Sequence, residues 1–138
     1  MYKKYLTTHA AELESLEKFR EFVAAACREN GVGDEINWAL QLSVDEAAAN
    51  VIQHGYAGNP GSLSLEVRVY PDRMNLRLTD FGHPFEPGSA PVPDVNAPLE
   101  LREPGGFGLF FIYSIMDEVD YQATEDGNVL SLTKRLQS

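Results

Sequence analysis

Glu46 and Asn50 lie four residues apart in a predicted helix, within the run S-V-D-E-A-A-A-N. Side chains at this spacing share one face of a helix. An asparagine oxygen can bind Mg²⁺, which usually takes only one or two protein oxygens and keeps its waters and phosphate ligands. A carboxylate one turn earlier can accept a proton from an attacking hydroxyl. The pair indicates metal-assisted group transfer, but polar pairs at this spacing also occur on ordinary solvated helix faces.

Asp80 and Gly82 form a second candidate group, at the end of an apolar strand. A carboxylate in this position can accept a hydrogen bond from an exocyclic amine such as that of adenine. A glycine two residues later lets the backbone approach a flat ring closely. An ordinary strand-to-loop turn has the same residue pattern, so this group alone indicates little.

A glycine cluster, Gly105, Gly106 and Gly108, precedes the last predicted helix. Backbone N–H groups at a helix start, together with the helix dipole, favour phosphate binding. Six of the eight prolines lie between Pro84 and Pro104. Because proline lacks the N–H that helices and sheets require, this stretch predicts a long loop, which is typical of a lid or of a disordered segment.

The composition limits the possible classes of protein. A chain of 138 residues with 43% hydrophobic residues predicts one folded domain, residues 1–138. The net charge of −10 argues against a nucleic-acid partner, and it means that a bound triphosphate would need a cation and backbone N–H groups. The sequence has one cysteine, no secretory leader pattern and no apolar run of about 18 residues, so we expect a cytoplasmic protein without a membrane partner.

The periodicity of apolar residues predicts an α+β fold. Its elements would form a two-layer α/β sandwich, a mostly antiparallel sheet covered on one face by helices, because helices and strands do not alternate one by one. We expect Gly31 to end the first helix, Asp34 to cap the second, and Gly55 to end the second in a left-handed conformation. The predicted strands span residues 2–7, 63–69, 74–79, 119–123 and 129–136, and the predicted helices span residues 11–30, 34–54 and 107–116.

The three motifs, in this order, resemble those of the GHKL superfamily of ATP-binding domains, which have the Bergerat ATP-binding fold. The stretch L-S-V-D-E-A-A-A-N-V-I-Q-H-G-Y resembles the N box, D-F-G-H-P-F the first glycine box, and G-G-F-G-L-F-F-I the second. The short length and the ending G-N-V-L-S-L-T-K-R-L most resemble the anti-sigma factor serine-protein kinases of bacterial partner switching. The resemblance extends from the first strand to Leu136.

The resemblance implies a site for ATP and Mg²⁺ and assigns roles to individual residues. Asn50 would be the Mg²⁺ ligand, and Glu46 would be the general base that takes a proton from a substrate serine. Asp80 would bind the adenine amino group, with Gly82 beneath the ring. Thr133, on the last strand, would place a hydroxyl near the adenine.

The resemblance also implies a lid over residues of about 83–105. Gly106 and Gly108 would hold phosphates, and Gly105 would be a hinge. Pro84 stands where many relatives have a second glycine, and a proline there would stiffen the start of the lid because it fixes φ.

Three functions are consistent with these motifs. The first, which we favour, is a kinase that phosphorylates a serine of a STAS-domain anti-sigma factor antagonist, binds a sigma factor and forms a homodimer. The second is a non-catalytic ATP-binding regulatory module that sequesters a protein partner. The third is a histidine kinase catalytic domain, which we disfavour because no predicted helix carries a phospho-acceptor histidine.

Overall fold

The computed structural model describes residues 1–84 and 112–136, which form one antiparallel sheet with helices on one face. Two long helices, α1 (Leu16–Glu29) and α2 (Asp34–Asn50), pack on this sheet and on each other. The predicted α+β class with a mostly antiparallel sheet is therefore confirmed. The strand order is β1-β2-β3-β5-β4, with β1 Lys3–Ala10, β2 Ser62–Val69, β3 Arg73–Asp80, β4 Glu118–Thr124 and β5 Gly127–Arg135.

The core lies between the sheet and the two helices, as the alternation of apolar residues in the strands requires. In β2 and β3 the apolar members of each alternating pair are buried, whereas the polar residues between them are mostly half-buried on the opposite face of the sheet. The helices contribute one apolar stripe each. The most deeply buried side chains include Phe19, Val23, Leu40, Val44, Leu63, Leu65, Val67, Met74, Leu76 and Leu132.

The ends of the helices differ in part from the sequence prediction. A 3-10 turn, Leu13–Ser15, precedes α1, and Gly33 rather than Asp34 caps α2. Gly31 follows the end of α1, as predicted, and it has a left-handed conformation with φ of 69°. In the second half of the chain, residues 112–115 are helical. No helix among the residues described is long and apolar enough to cross a membrane.

The chain leaves α2 through a π-helical turn, Val51–Gly55. The prediction that Gly55 ends this helix in a left-handed conformation is wrong, because Gly55 does not have a positive φ. The backbone instead widens by one π turn and continues into Tyr56. Such single π turns occur frequently at functional sites, because they displace one part of a helix relative to the rest.

Tyr56 connects the π turn to the sheet. Its buried hydroxyl donates a hydrogen bond to the carbonyl oxygen of Ser62, at 2.6 Å, and accepts one from the backbone N–H of Phe81, at 2.9 Å. These partners are the first residue of β2 and the residue that follows β3. One side chain therefore fixes three segments that meet at the same end of the sheet.

We expect Tyr56→Phe to lower the free energy of unfolding by about 1–2 kcal/mol, because it leaves two backbone groups without their partner. Urea denaturation followed by circular dichroism measures this change. Tyr113→Phe is the matched control, since Tyr113 is 47% exposed, and its free energy of unfolding should stay within about 0.5 kcal/mol of the wild type. Equal values for the two variants would show that the Tyr56 hydroxyl has no structural role.

Candidate active site

Asp80 is the last residue of β3, and its carboxylate is fixed by two donors. The backbone N–H of Gly82 donates to Oδ1 at 2.8 Å, and the Asn128 side chain donates to the same oxygen at 3.0 Å. The Asp80 residue is only 4% exposed. Within residues 1–84 and 112–136, Oδ2 accepts no hydrogen bond.

Gly82 packs directly against the end of the π turn. A Cβ at Gly82 would lie 2.7 Å from both the carbonyl carbon and the carbonyl oxygen of Gly55, so no side chain fits there. The next residue, His83, donates its backbone N–H to the Gly55 oxygen at 2.7 Å. A Cβ at Gly55 would in turn lie 3.9 Å from Oδ1 of Asp80. The end of the helical segment and the end of β3 therefore form one continuous surface.

Glu46 and Asn50 lie on α2, upstream of this contact. Both side chains are half-buried at the edge of the buried face that Ser43, Val44 and Ala47 form. At a rise of about 1.5 Å per residue, Asn50 lies roughly 7 Å and Glu46 roughly 13 Å along the axis from Gly55. The site is thus elongated, with Asp80 at one end and Glu46 at the other.

The environment of Glu46 raises the pKa of its carboxyl group. Burial is the main cause, because it disfavours the charged form, and the negative charge of neighbouring Asp45 adds to it. Asp45 itself forms an ion pair with Arg20 of α1. A carboxylate with a raised pKa is a better proton acceptor than an ordinary glutamate, which is the property that a general base requires.

Thr133 does not lie beside Asp80. In the pairing of β3 with β5, Asp80 is opposite Asn128, whereas Thr133 is opposite Asn75, five residues further along. This separation is roughly 17 Å along the strand. The Thr133 hydroxyl accepts a hydrogen bond from the Asn75 side chain at 2.9 Å. Because strand residues alternate between faces, Thr133 also lies on the opposite face of the sheet from Asp80 and Asn128.

Asn128 is the site residue that the sequence reasoning missed. The sequence predicted a turn over residues 125–128, but β5 begins at Gly127 and Asn128 is its second residue. The turn is shorter because Thr124 closes it, donating to the Gly127 oxygen at 2.9 Å and accepting from the Asp126 N–H at 3.2 Å. A prediction of a two-residue turn, instead of a longer one, would have placed Asn128 in the last strand and opposite Asp80.

Part of the predicted site lies outside the residues that the structure describes. This part comprises Gly105, Gly106 and Gly108, and all of the predicted lid except its first two residues. Those two, His83 and Pro84, are exposed.

Asn50 fits the role of a magnesium ligand by its chemistry. Among residues 1–84 and 112–136 its side chain makes no hydrogen bond, so its carboxamide oxygen is available. No group of three or more His, Cys, Asp or Glu residues in these ranges could hold a metal by protein ligands alone. A single neutral oxygen suits Mg²⁺ that is bound mainly by water and phosphates, which is the usual arrangement at nucleotide sites.

Comparison with known proteins identifies the family. Residues 9–134 match the histidine kinase-like ATPase domain. The chain belongs to this family. The predicted GHKL membership is thereby confirmed, and membership implies ATP binding. A solved histidine kinase domain, from the blue-light activated histidine kinase of Erythrobacter litoralis EL346, has the same fold, with a TM-score of 0.54 and 15% identity over 88% of this chain and 61% of that chain.

Among curated proteins, the chain is similar to several that are named Serine-protein kinase RsbW. The protein from Halalkalibacterium halodurans is 35% identical over 103 residues, which are 71% of this chain and 62% of the relative. That from Bacillus cereus (strain B4264) is 29% identical over 102 residues, 71% of this chain and 63% of the relative. The chain thus spans less than two thirds of the length of these relatives.

The raised pKa of Glu46 makes a prediction about stability. The unfolded chain has an ordinary glutamate pKa of about 4.3. Because the folded pKa is higher, the stabilisation from this group is complete below the unfolded pKa and is lost as the pH rises through the folded pKa. Glutamine cannot ionise, so Glu46→Gln should be more stable than the wild type at pH 7, with a difference that shrinks toward pH 4.

Urea denaturation of both proteins at pH 4 and pH 7 measures this difference. Glu21→Gln is the control, because Glu21 is exposed on α1. Its replacement should not raise the free energy of unfolding more at pH 7 than at pH 4. A Glu46→Gln variant that is less stable than the wild type at pH 7 would contradict the prediction.

Proposed function

We propose that the protein is an ATP-dependent serine kinase of the anti-sigma factor type. The observation that carries this proposal is the contact of Gly55 with Gly82, which joins the helix of Glu46 and Asn50 to the strand end of Asp80. In this proposal Asp80 would bind the adenine, Asn50 would bind Mg²⁺ and Glu46 would accept the serine proton. The similarity to proteins named as serine-protein kinases supports the reaction class.

In the proposed reaction, Asp80 holds the adenine amino group through its available oxygen. Asn50 would hold Mg²⁺, which when bound neutralises charge on the phosphates. Glu46 accepts the proton of a substrate serine hydroxyl. The serine oxygen forms a bond to the γ-phosphorus, the bond from that phosphorus to the β–γ bridging oxygen breaks, and ADP leaves with the electron pair.

The proposed acceptor is a serine of a STAS-domain anti-sigma factor antagonist, and the proposed second partner is a sigma factor. Both follow from the family resemblance of the sequence, as does a homodimer. Phosphorylation of the antagonist would decide which partner the kinase binds. A non-catalytic module that only sequesters a partner would need the adenine site but not Glu46, so Glu46 separates the two functions.

We expect Glu46→Gln to retain ATP binding but to lose phosphotransfer at least 100-fold, because glutamine cannot accept the serine proton. The assay incubates each variant with γ-labelled ATP and with STAS-domain proteins whose genes lie near the gene for this protein. The measured product is phosphoserine. Calorimetry measures ATP affinity in parallel, and Glu21→Gln is the control. Unchanged phosphotransfer in Glu46→Gln would exclude the general-base role, whereas ATP binding without phosphotransfer in the wild type would favour the sequestering module.

We expect Asn50→Ala to weaken ATP binding about tenfold or more when Mg²⁺ is present, and to have little effect in EDTA, because only the metal contact is lost. Calorimetric titrations under both conditions measure this difference. Asn37→Ala is the matched control, since Asn37 lies near the start of the same helix, where it accepts a hydrogen bond from Gln41. Equal losses of affinity with and without Mg²⁺ would contradict the metal assignment.

A further inference from the structure

We propose that Asn128 determines the base selectivity of the nucleotide site, by leaving Asp80 a single oxygen with which to bind the base. The inference rests on the proposed function, because it concerns the same ATP site. It adds a residue to which the sequence motifs assigned no role.

The orientation of the Asn128 side chain follows from its two partners. One of its terminal atoms lies 3.0 Å from Oδ1 of Asp80 and 2.9 Å from the carbonyl oxygen of Gly82. Both partners are acceptors, so this atom is the Nδ2 amide nitrogen, and both of its hydrogens are used. Asn128 is only 4% exposed, which keeps water from replacing these bonds.

These bonds exhaust one oxygen of Asp80. Oδ1 accepts from the Gly82 N–H and from Asn128, and a carboxylate oxygen has two lone-pair sites. The backbone of Gly82 is held by the same two side chains. Its N–H donates to Asp80, and its carbonyl oxygen accepts from Asn128. The carboxylate therefore cannot rotate without breaking several buried hydrogen bonds.

A carboxylate with one available oxygen distinguishes the two purine bases. Adenine presents one exocyclic amine beside a ring acceptor, so a single oxygen satisfies its donor. Guanine presents two adjacent donors, the ring N–H and the exocyclic amine, which suit a carboxylate with both oxygens available. The two N–H donors of guanine are parallel, so Oδ2 alone can bond only one of them with good geometry, and a poorly paired donor in a buried position is a source of discrimination.

The test measures the ratio of the dissociation constants for GTP and ATP, by calorimetry in the presence of Mg²⁺. Asn128→Ala removes both bonds of Asn128 and frees one of the two lone-pair sites of Oδ1, so the ratio should fall about tenfold or more from the wild-type value. Asn128→Leu removes the same donor with a side chain of similar size, and it should also lower the ratio.

Asn75→Ala is the matched control. Asn75 is also a buried asparagine on the β3–β5 pair, and its amide donates to the hydroxyl groups of Ser131 and Thr133 at 2.9 Å. It lies five residues from Asp80, so its loss should lower stability without changing the ratio.

The outcomes separate this inference from the proposed function. A wild-type ratio in either Asn128 variant that folds and binds ATP would overturn the role of Asn128 and leave the proposed function intact. Equal affinity of the wild-type protein for ATP and GTP would also overturn the role of Asn128 and leave the proposed function intact. A wild-type protein that binds neither nucleotide would overturn the proposed function, and the base selectivity with it.

Discussion

The backbone contact between Gly55 and Gly82 is the constraint on which the rest of the site depends. It brings a helical segment and a strand end closer than a residue with a Cβ at position 82 would allow. The hydrogen bond from His83 to Gly55 and the bonds of the Tyr56 hydroxyl hold this contact from either side. Because the strand carries Asp80 and the helix carries Glu46, the contact sets the distance between the proposed adenine-binding residue and the proposed general base.

The charge of the chain explains how this site is built. With a net charge of −10, the protein has few basic groups to place beside an anionic ligand. In the described residues, donors and acceptors at the site are mostly neutral, and they include the Asn50 carboxamide, the Asn128 carboxamide and the Gly82 N–H. The carboxylate of Asp80 is compensated by two of these donors. Glu46 has no such donor among the described residues, so its ionised form lowers the stability of the fold.

The sequence predicted the layers of the fold because they depend on local periodicity. Alternating apolar residues in β2 and β3 and the apolar stripes of α1 and α2 were enough to predict the strands, the helices and the class. The positions of Glu46, Asn50 and Asp80 within these elements also follow from local pattern. The π turn at Val51–Gly55 does not, because it involves a contact with Gly82, which is 27 residues away from Gly55 in sequence.

Thr133 and Asn128 show that the sequence did not define the length of the turn before the last strand, and therefore did not define which residue of that strand lies opposite Asp80. A register error of one residue moves a strand side chain to the other face of the sheet, and an error in turn length moves every later residue along the ladder. The resemblance pointed to a polar side chain on the last strand, and residue type favoured Thr133. The two-residue turn at Glu125 and Asp126 instead places Asn128 opposite Asp80.

The residues proposed for adenine recognition and for proton transfer lie on separate elements of this fold. Asp80 and Asn128 are fixed by the β3–β5 ladder, whereas Glu46 depends on α2 and on the ion pair of Asp45 with Arg20. A substitution at Glu46 therefore leaves the bonds of the Asp80 carboxylate intact. If Glu46 is the general base as proposed, one half-buried carboxylate on a helix, and no change of fold, separates a kinase from a nucleotide-dependent binding protein on this scaffold.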